Sequence, residues 1–543
     1  MAKVTVDGIE IEIEEGTNII EAAKAANIHV PHFCYHPSLS VVGQCRMCLV
    51  EIEGMPKLQA GCSTTIRDGM AIHVYNEKVD KARKGQMEFL LINHPLDCPI
   101  CDKAGECPLQ DYSFNYGAVE SRYGEYKRTY PGMDRTAIGP HVLQNMNRCI
   151  HCTRCIRFTE EISGTGELAF FKRGAETEVG VFPGRPLDNW MSACVTDICP
   201  TGALTTRQFR FEQRVWNLDA AESVCNGCDV GCNIFVEFKN GRIYRYKPRV
   251  NPDVNDHWLC DYGRFSCERY ETDRVVVPRI RFEEEDHLGI GSWSEVWEEI
   301  VSRLRQVSGE KLAVVGSAQL TNEEGWLIKR LFGDLLGSSR IDVTVDAIGP
   351  IRMKSRTGWH EGTEAGPNLR GLRSLGFGSG DSIESLLSEG AEAIDVLYVT
   401  DTAFSDRTRD PAVIERLRKA SYLIVHAWEN HPLAEVADVV LPSSIFAEKS
   451  GTWTNGQNRV QRIRQAYLPK GEALTDWEII RRLGARLFPA EADFRAETPD
   501  DTFDTIREKV EAFRDLEWDD ETGHGSAPSP PAAEGGISGE ARG

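Results

Sequence analysis

No cysteine follows Cys267 in this 543-residue chain, although 17 lie before or at that position. Sulfur-based metal chemistry and disulfides are therefore confined to the first half. Long apolar runs are also missing. None approaches the roughly eighteen uninterrupted apolar residues of a membrane span, and the opening MAKVTVDGIEIEIEEG has no apolar signal core, so the expectation is a chain that is neither inserted nor exported. Positive charge is short, with 62 Lys and Arg against 83 Asp and Glu and a net charge of −21. That balance argues against a nucleic-acid partner, which needs concentrated Lys and Arg, and reads as a solvated acidic surface. Apolar residues at 41% and charged residues at 27% are ordinary for globular protein, and the length calls for several domains rather than one core.

The cysteines fall into groups with tight x2 and x3 spacings. In a chain with no export signal, such spacings point to metal ligation rather than disulfides. Zinc suits any single CxxC pair, whereas four groups in series, several carrying Cys-Pro, favour iron–sulfur clusters.

Residues 1–80 begin with an alternation of Val4, Val6, Ile9, Ile11 and Ile13 across Asp7-Gly8, which predicts a β-hairpin with one buried face. A helix over NIIEAAKAANI follows, then Cys34, Cys45, Cys48 and Cys62, with two short strands between the last two. This order matches a ferredoxin β-grasp domain, and four cysteines suit a [2Fe–2S] centre, although the spacing departs from the plant-ferredoxin pattern. Residues 76–93 read as a helix ending near His94. The stretch Asn93–Gln110 then carries His94, Cys98, Cys101 and Cys107, with prolines directly after His94, Cys98 and Cys107. It predicts a stiff, non-helical loop presenting four ligands to a [4Fe–4S] cluster. A lone histidine is ordinarily a packed or surface residue; its place four residues before a CxxC motif argues for ligation.

Residues 108–148 show no clear period and read as a loop-rich wrap. Cys149, Cys152 and Cys155 form the C-x2-C-x2-C run of a [4Fe–4S] motif, for which Cys194 and Cys199 are candidate fourth ligands. Cys199 is preferred because Pro200 fixes the turn that leaves it. Gly164-x-Gly166-x-x-Ala169 formally matches a dinucleotide fingerprint but lacks the strand–helix context and reads as a turn. A fourth group, Cys225, Cys228, Cys232 and Cys260, encloses a hairpin predicted to turn at Asn240-Gly241 and suits another [4Fe–4S] cluster. Cys194 and Cys267 are left over.

From residue 292 the character changes. Amphipathic helices alternate with apolar strands, including KLAVVGSAQL, RIDVTVD, AIDVLYVTD, SYLIVHAW and ADVVLP, which predicts a parallel sheet covered by helices. Residues 349–390 read as a connector, and the Gly-, Ser- and Pro-rich tail from Asp519 as disordered.

Together these motifs resemble the G-subunit family of bacterial NADH–quinone oxidoreductase (respiratory complex I), which includes the mitochondrial 75-kDa subunit. The likeness covers residues 1–270 through all four ligand groups and extends weakly over 292–490. There, ADVVLPSSIFAEKSGTWTNGQNRVQ is similar to a strand and loop of molybdopterin oxidoreductases. The resemblance implies a multi-domain α+β chain: a 2Fe–2S β-grasp domain (1–80), a 4Fe–4S segment with one histidine and three cysteine ligands (81–120), a 4Fe–4S ferredoxin-like domain (121–215), a molybdopterin-oxidoreductase-type cluster domain (216–275), a shortened molybdopterin-oxidoreductase-like α/β domain (290–490) and a tail (515–543). It implies one [2Fe–2S] and three [4Fe–4S] clusters. Electrons from an NADH- and flavin-binding F subunit would pass the Cys34, Cys149 and His94 groups in turn, toward the two-cluster I subunit and quinone, leaving the Cys225 group off the path. The E subunit is a further expected partner. The expected location is the cytoplasmic side of the bacterial inner membrane, without insertion. In related molybdenum enzymes a lysine follows the last cluster ligand by two residues; here that position is Tyr262, and no metal-ligating cysteine remains beyond Cys267, so no molybdopterin is expected. No substrate-binding catalytic site is visible. The diaphorase subunit of an NAD-linked hydrogenase, a formate dehydrogenase and a zinc-bearing scaffold are the alternative readings.

Overall fold

The computed structural model describes residues 1–271, 273–282, 287–378, 391, 393–400 and 409–516, together with the backbone of 518–519 and 524–525. The expected disordered tail lies outside these residues almost entirely. Among the described residues no helix is long and apolar enough to cross a membrane. The chain forms two compact units, Met1–Leu218 and Asp219–Gly543.

The first unit opens with β1 (Ala2–Val6) and β2 (Ile9–Ile13), paired antiparallel with Val6 opposite Ile9. Asp7 and Gly8 take φ of 45° and 85°, the left-handed pair that a two-residue hairpin turn needs. Val4 and Val6 are buried, whereas Ile9 is exposed and Ile11 and Ile13 are half-buried. The single buried face expected of the hairpin is thus realised in β1 alone, because β2 is the edge of a sheet ordered β2-β1-β5-β3-β4 with β3 (Leu49–Ile52), β4 (Gln59–Ala60) and β5 (Ala71–His73). Helix α1 (Ile19–Ala25), capped by the Asn18 side chain accepting from the Glu21 N–H, lays Ile19, Ile20, Ala22 and Ala23 on that core.

Helix α2 (Glu77–Leu91) follows Asn76, whose side chain caps it. Lys127 Nζ donates to the carbonyls of Leu91 and Ile92 and so closes its C-terminus just before His94. The segment after His94 departs from expectation. Cys98–Ile100 is a turn of 3-10 helix, and α3 (Pro108–Tyr116) begins directly after Cys107. Pro108 starts this helix instead of preventing one, since the first helical position needs no N–H donor. Residues 108–148 are correspondingly more regular than a loop, with short strands at Thr136–Ala137 and Val142–Gln144. Gly164 and Gly166, both at positive φ, lead into the antiparallel hairpin Leu168–Phe171/Glu178–Val181, so the glycine pattern there is a turn and not a dinucleotide loop.

The second unit starts with a three-stranded meander whose second hairpin turns at Asn240 (φ 51°) and Gly241 (φ 71°), where the sequence places it. A seven-stranded sheet follows. Five of its strands run parallel in the order 439–442, 422–427, 396–399, 312–317, 340–344, with an antiparallel hairpin, 279–282 and 287–290, at one edge. The strands Leu312–Ser317 and Tyr422–Ala427 are buried throughout, as near-continuous apolar runs require. The expected connector holds a hairpin (Ala347–Ser355 with Gly358–Glu364) and a short helix (Leu369–Ser374); residues 379–390 of it lie outside the described residues.

One buried carboxyl of this unit sets a pH dependence. Burial raises Glu323 to about 7, against hydrogen bonds from the Thr452 N–H and hydroxyl. A carboxyl whose folded pKa exceeds its unfolded value binds more protons in the native state, so its contribution to stability declines as pH rises from about 4.5 to about 7. Glu323→Gln is expected to flatten the pH dependence of the melting temperature over that window. Identical slopes in the variant and the parent would contradict this.

Candidate metal centres

The first group is the tightest. Cys34, Cys45, Cys48 and Cys62 are all buried. The thiols shift one another: Cys45 and Cys62 hold the Cys34 thiol low, Cys62 does the same for Cys48, and Cys45 and Cys62 are pushed up in return. The Phe33 N–H points at Cys45 Sγ, 3.4 Å away.

Cys149, Cys152, Cys155 and Cys199 line a single cavity with Arg154, Pro200 and Thr201. Burial raises the thiols of Cys149 and Cys155 and pushes Cys152 up to about 11. Such thiols keep their protons until a metal displaces them. Cys194, fully buried at the start of the helix Cys194–Ile198, does not line this cavity.

The His94 group is less uniform. Cys101 and Cys107 are buried, and burial raises Cys107 to about 11, whereas Cys98 is exposed. Cys107 Sγ donates to the Pro200 carbonyl at 3.6 Å. Cys101 Sγ lies so close to Gly202 that a Cβ there would sit 2.2 Å from it. The His94 ring lines a cavity with Cys149, Asn93 and Arg128, and its buried Nδ1 has no hydrogen-bond partner. Burial, then the nearby Lys127 and Arg148, lower its pKa to about 4, so the imidazole is neutral and can act as a ligand. Arg148, which precedes Cys149, pairs with Asp97, which precedes Cys98, at 2.9 Å.

In the second unit, Cys225, Cys228, Cys232 and Cys260 are buried, and the Cys225 N–H donates to the Cys232 carbonyl at 2.7 Å. A Cβ on Gly263 would stand 2.5 Å from Cys225 Sγ and 3.7 Å from Cys260 Sγ, which places these two sulfurs around one glycine. Burial raises Cys225 to about 11 and Cys260 to about 12. The remaining cysteine, Cys267, donates its thiol to the Arg264 carbonyl. Tyr262 is half-exposed beside Gly227.

Among the described residues no group of three or more His, Cys, Asp or Glu side chains has the geometry of a single-ion site. The case for metal rests instead on donor type, burial, the shared cavity, the glycine cradles and the orphaned His94 nitrogen, and on these counts the residues fit iron–sulfur clusters.

Sequence spacing missed a set of arginines, Arg83 and Arg157 buried and Arg154 half-buried. Arg83 is fully buried between the rings of Tyr75 and Tyr116, and Arg154 and Arg157 join the first and third groups. Their only early signal is an arginine on each side of Cys155.

Comparison with known proteins follows the same division. Residues 1–77 match a 2Fe-2S iron-sulfur cluster binding domain, 83–122 the NADH-ubiquinone oxidoreductase-G iron-sulfur binding region, and 139–205 the ferredoxin-like domain of NADH-quinone oxidoreductase subunit 3. Residues 218–268 match the NADH-ubiquinone oxidoreductase NDSU1/NuoG-like 4Fe-4S domain, and 361–486 match molybdopterin oxidoreductase. The mitochondrial 78 kDa subunit of NADH-ubiquinone oxidoreductase from Candida albicans is 32% identical over 89% of this chain and 82% of its own. The G subunit of NADH-quinone oxidoreductase from Rickettsia felis is 31% identical over 90% and 88%. A chain in the crystal structure of NAD+-reducing [NiFe]-hydrogenase is 28% identical over 39% of this chain and 91% of its own, with a TM-score of 0.35. The chain belongs to the family of the NADH–quinone oxidoreductase G subunit and its mitochondrial 75- and 78-kDa counterparts, iron–sulfur electron-transfer subunits of complex I.

Proposed function

We propose that Cys34, Cys45, Cys48 and Cys62 hold a [2Fe–2S] cluster, and that the His94/Cys98/Cys101/Cys107, Cys149/Cys152/Cys155/Cys199 and Cys225/Cys228/Cys232/Cys260 groups each hold a [4Fe–4S] cluster. One observation carries this reading. Phe33, Cys34, Cys45, Met47, Met87, Cys107 and Leu109 form a single apolar cluster against which Cys152 packs, so thiols from three groups share one dry interior. Clusters bound there supply one-electron exchange without atomic rearrangement. The protein excludes water, fixes the sulfurs and sets their surroundings.

The middle position of the Cys149 group is supported by contacts on both sides. The Gln44 side chain donates to the His151 carbonyl, and the Ser40 N–H donates to Glu161, binding the first group's loop to the third's helix. The Pro200–Gly202 turn and the Arg148–Asp97 pair face the His94 group. This favours the order Cys34 group, Cys149 group, His94 group, between an NADH-oxidising F subunit with its E neighbour and the I subunit that leads to quinone. Leu96 and Ile100, exposed by 88% and 61%, flank Cys98 in sequence and offer apolar side chains for the acceptor. The assembly would lie on the cytoplasmic side of the membrane.

The fourth group reads as a structural pin of a cofactor-free α/β unit. Gln319, Asn455 and Gln461 donate to the carbonyls of Asn226, Val230 and Gly231, and the Asp229 carboxylate accepts from the N–H groups of Thr363 and Glu364. Iron and acid-labile sulfide analysis of the purified full chain tests the whole assignment. It should give about fourteen irons per chain with matching sulfide; zinc without sulfide would end it.

His94→Cys should keep its four-iron centre but lower the midpoint potential, because a neutral imidazole becomes a thiolate. A spectrum and potential unchanged from the parent would show that His94 is not a ligand.

A further inference from the structure

Arg154 stands between Cys152 and Cys155, and its fork reaches two sites at once. Nη2 donates to the carbonyl of Tyr35, next to Cys34, and Nη1 donates at 3.2 Å to the carbonyl of Ile198, next to Cys199. Its Nε is buried with no hydrogen-bond partner, and the side chain lines the cavity of the Cys149 group. Arg157, one turn on and 6% exposed, donates to the carbonyls of Cys34 and Ser40 and to Thr153 Oγ1. Among the described residues neither arginine forms an ion pair.

A buried guanidinium (Arg157) beside a half-buried one with a buried Nε (Arg154), neither facing a carboxylate, is costly unless another negative charge faces them. Around Arg154 the groups placed to answer its charge are the sulfurs of both sites: it shares a cavity with Cys149, Cys152, Cys155 and Cys199, and its fork bonds the carbonyls next to Cys34 and Cys199. Thiolate-bound clusters would supply the missing negative charge, and each added electron would increase it.

We infer that Arg154 is the shared counter-cation of the Cys34 and Cys149 sites, a positioning residue that raises both reduction potentials while tying the two ligand loops together. The inference rests on the proposal that both sites hold clusters. A guanidinium suits the task because its donors diverge in a rigid plane, which a lysine ammonium cannot reproduce. Charge, by contrast, is common to both.

That difference makes the test decisive. EPR-monitored redox titration, with iron and sulfide assays, is applied to the full chain as parent, Arg154→Gln and Arg154→Lys. In Arg154→Gln the reduction equilibria of both the two-iron centre and the Cys149 centre should fall at least about tenfold, which is 59 mV for a one-electron couple. Arg154→Lys should recover most of that shift. If Arg154→Gln fails to assemble the two centres, their recovery in Arg154→Lys supports the charge role equally. A shift at only one centre, no shift, or the same defect in both variants would overturn the inference. Absence of both signals from the parent would instead refute the cluster assignment itself.

Discussion

Cys199→Ala is expected to remove about four irons from the chain and abolish one four-iron EPR signal. Cys199 completes the cavity of Cys149, Cys152 and Cys155, and no other cysteine lines it. Loss of outer-shell support alone commonly costs 10–100-fold in metal affinity or activity, so loss of a direct ligand should cut NADH–quinone electron flow in the assembled complex by more than about 100-fold. The neighbouring site should be spared, because it contacts the backbone of the turn: Pro200 offers its carbonyl to Cys107, and Gly202 clears space for Cys101. Cys194→Ala is the matched control, a buried thiol outside the cavity, and should leave the iron content unchanged. The reverse pattern, with Cys194→Ala losing the centre, would overturn the ligand assignment.

Lys449→Met should have the largest effect on stability. Lys449 Nζ lies 2.7 Å from Glu324 Oε2 and 3.4 Å from Asp476 Oδ2, and all three side chains are fully buried. Asp476 also bonds His426 Nδ1 at 2.7 Å, and His426 Nε2 meets the Tyr398 hydroxyl. Glu324 closes the capping box of the helix Asn322–Ile328. Removing the ammonium leaves Glu324 with no cation and Asp476 with His426 alone, a loss of about 3–5 kcal/mol. In calorimetry of the full chain, the transition of the second unit should move down by about 5–10 °C. Iron content should not change, since Lys449, Glu324, Asp476, His426 and Tyr398 belong to none of the four ligand groups. A shift below about 1 °C would show that the network adds little.

What could be read from the sequence was local. Ligand spacing, the Asp7-Gly8 and Asn240-Gly241 turns and the apolar strands of the parallel sheet each depend on residues within one short window, where side-chain period and backbone preference act directly. Elements decided by distant neighbours were not legible. Pro108 reads as a breaker until it is found at a helix start, and the isoleucines of residues 9–13 read as core until their strand is found at a sheet edge. Arg154 bonds a carbonyl 119 positions away, a contact no spacing rule reveals. The lower regularity of the His94 group has the same origin: His94 and Cys101 acquire much of their surroundings from residues 128–151 and 200–202, distant in sequence from their own loop.

Low-temperature EPR during a redox titration of the purified full chain tests the central claim most directly. The account predicts one two-iron and three four-iron centres, with the two-iron centre and two of the four-iron centres coupled through a common interior. A chain that holds zinc, or that shows a two-iron centre with no four-iron signal at any potential, would contradict it.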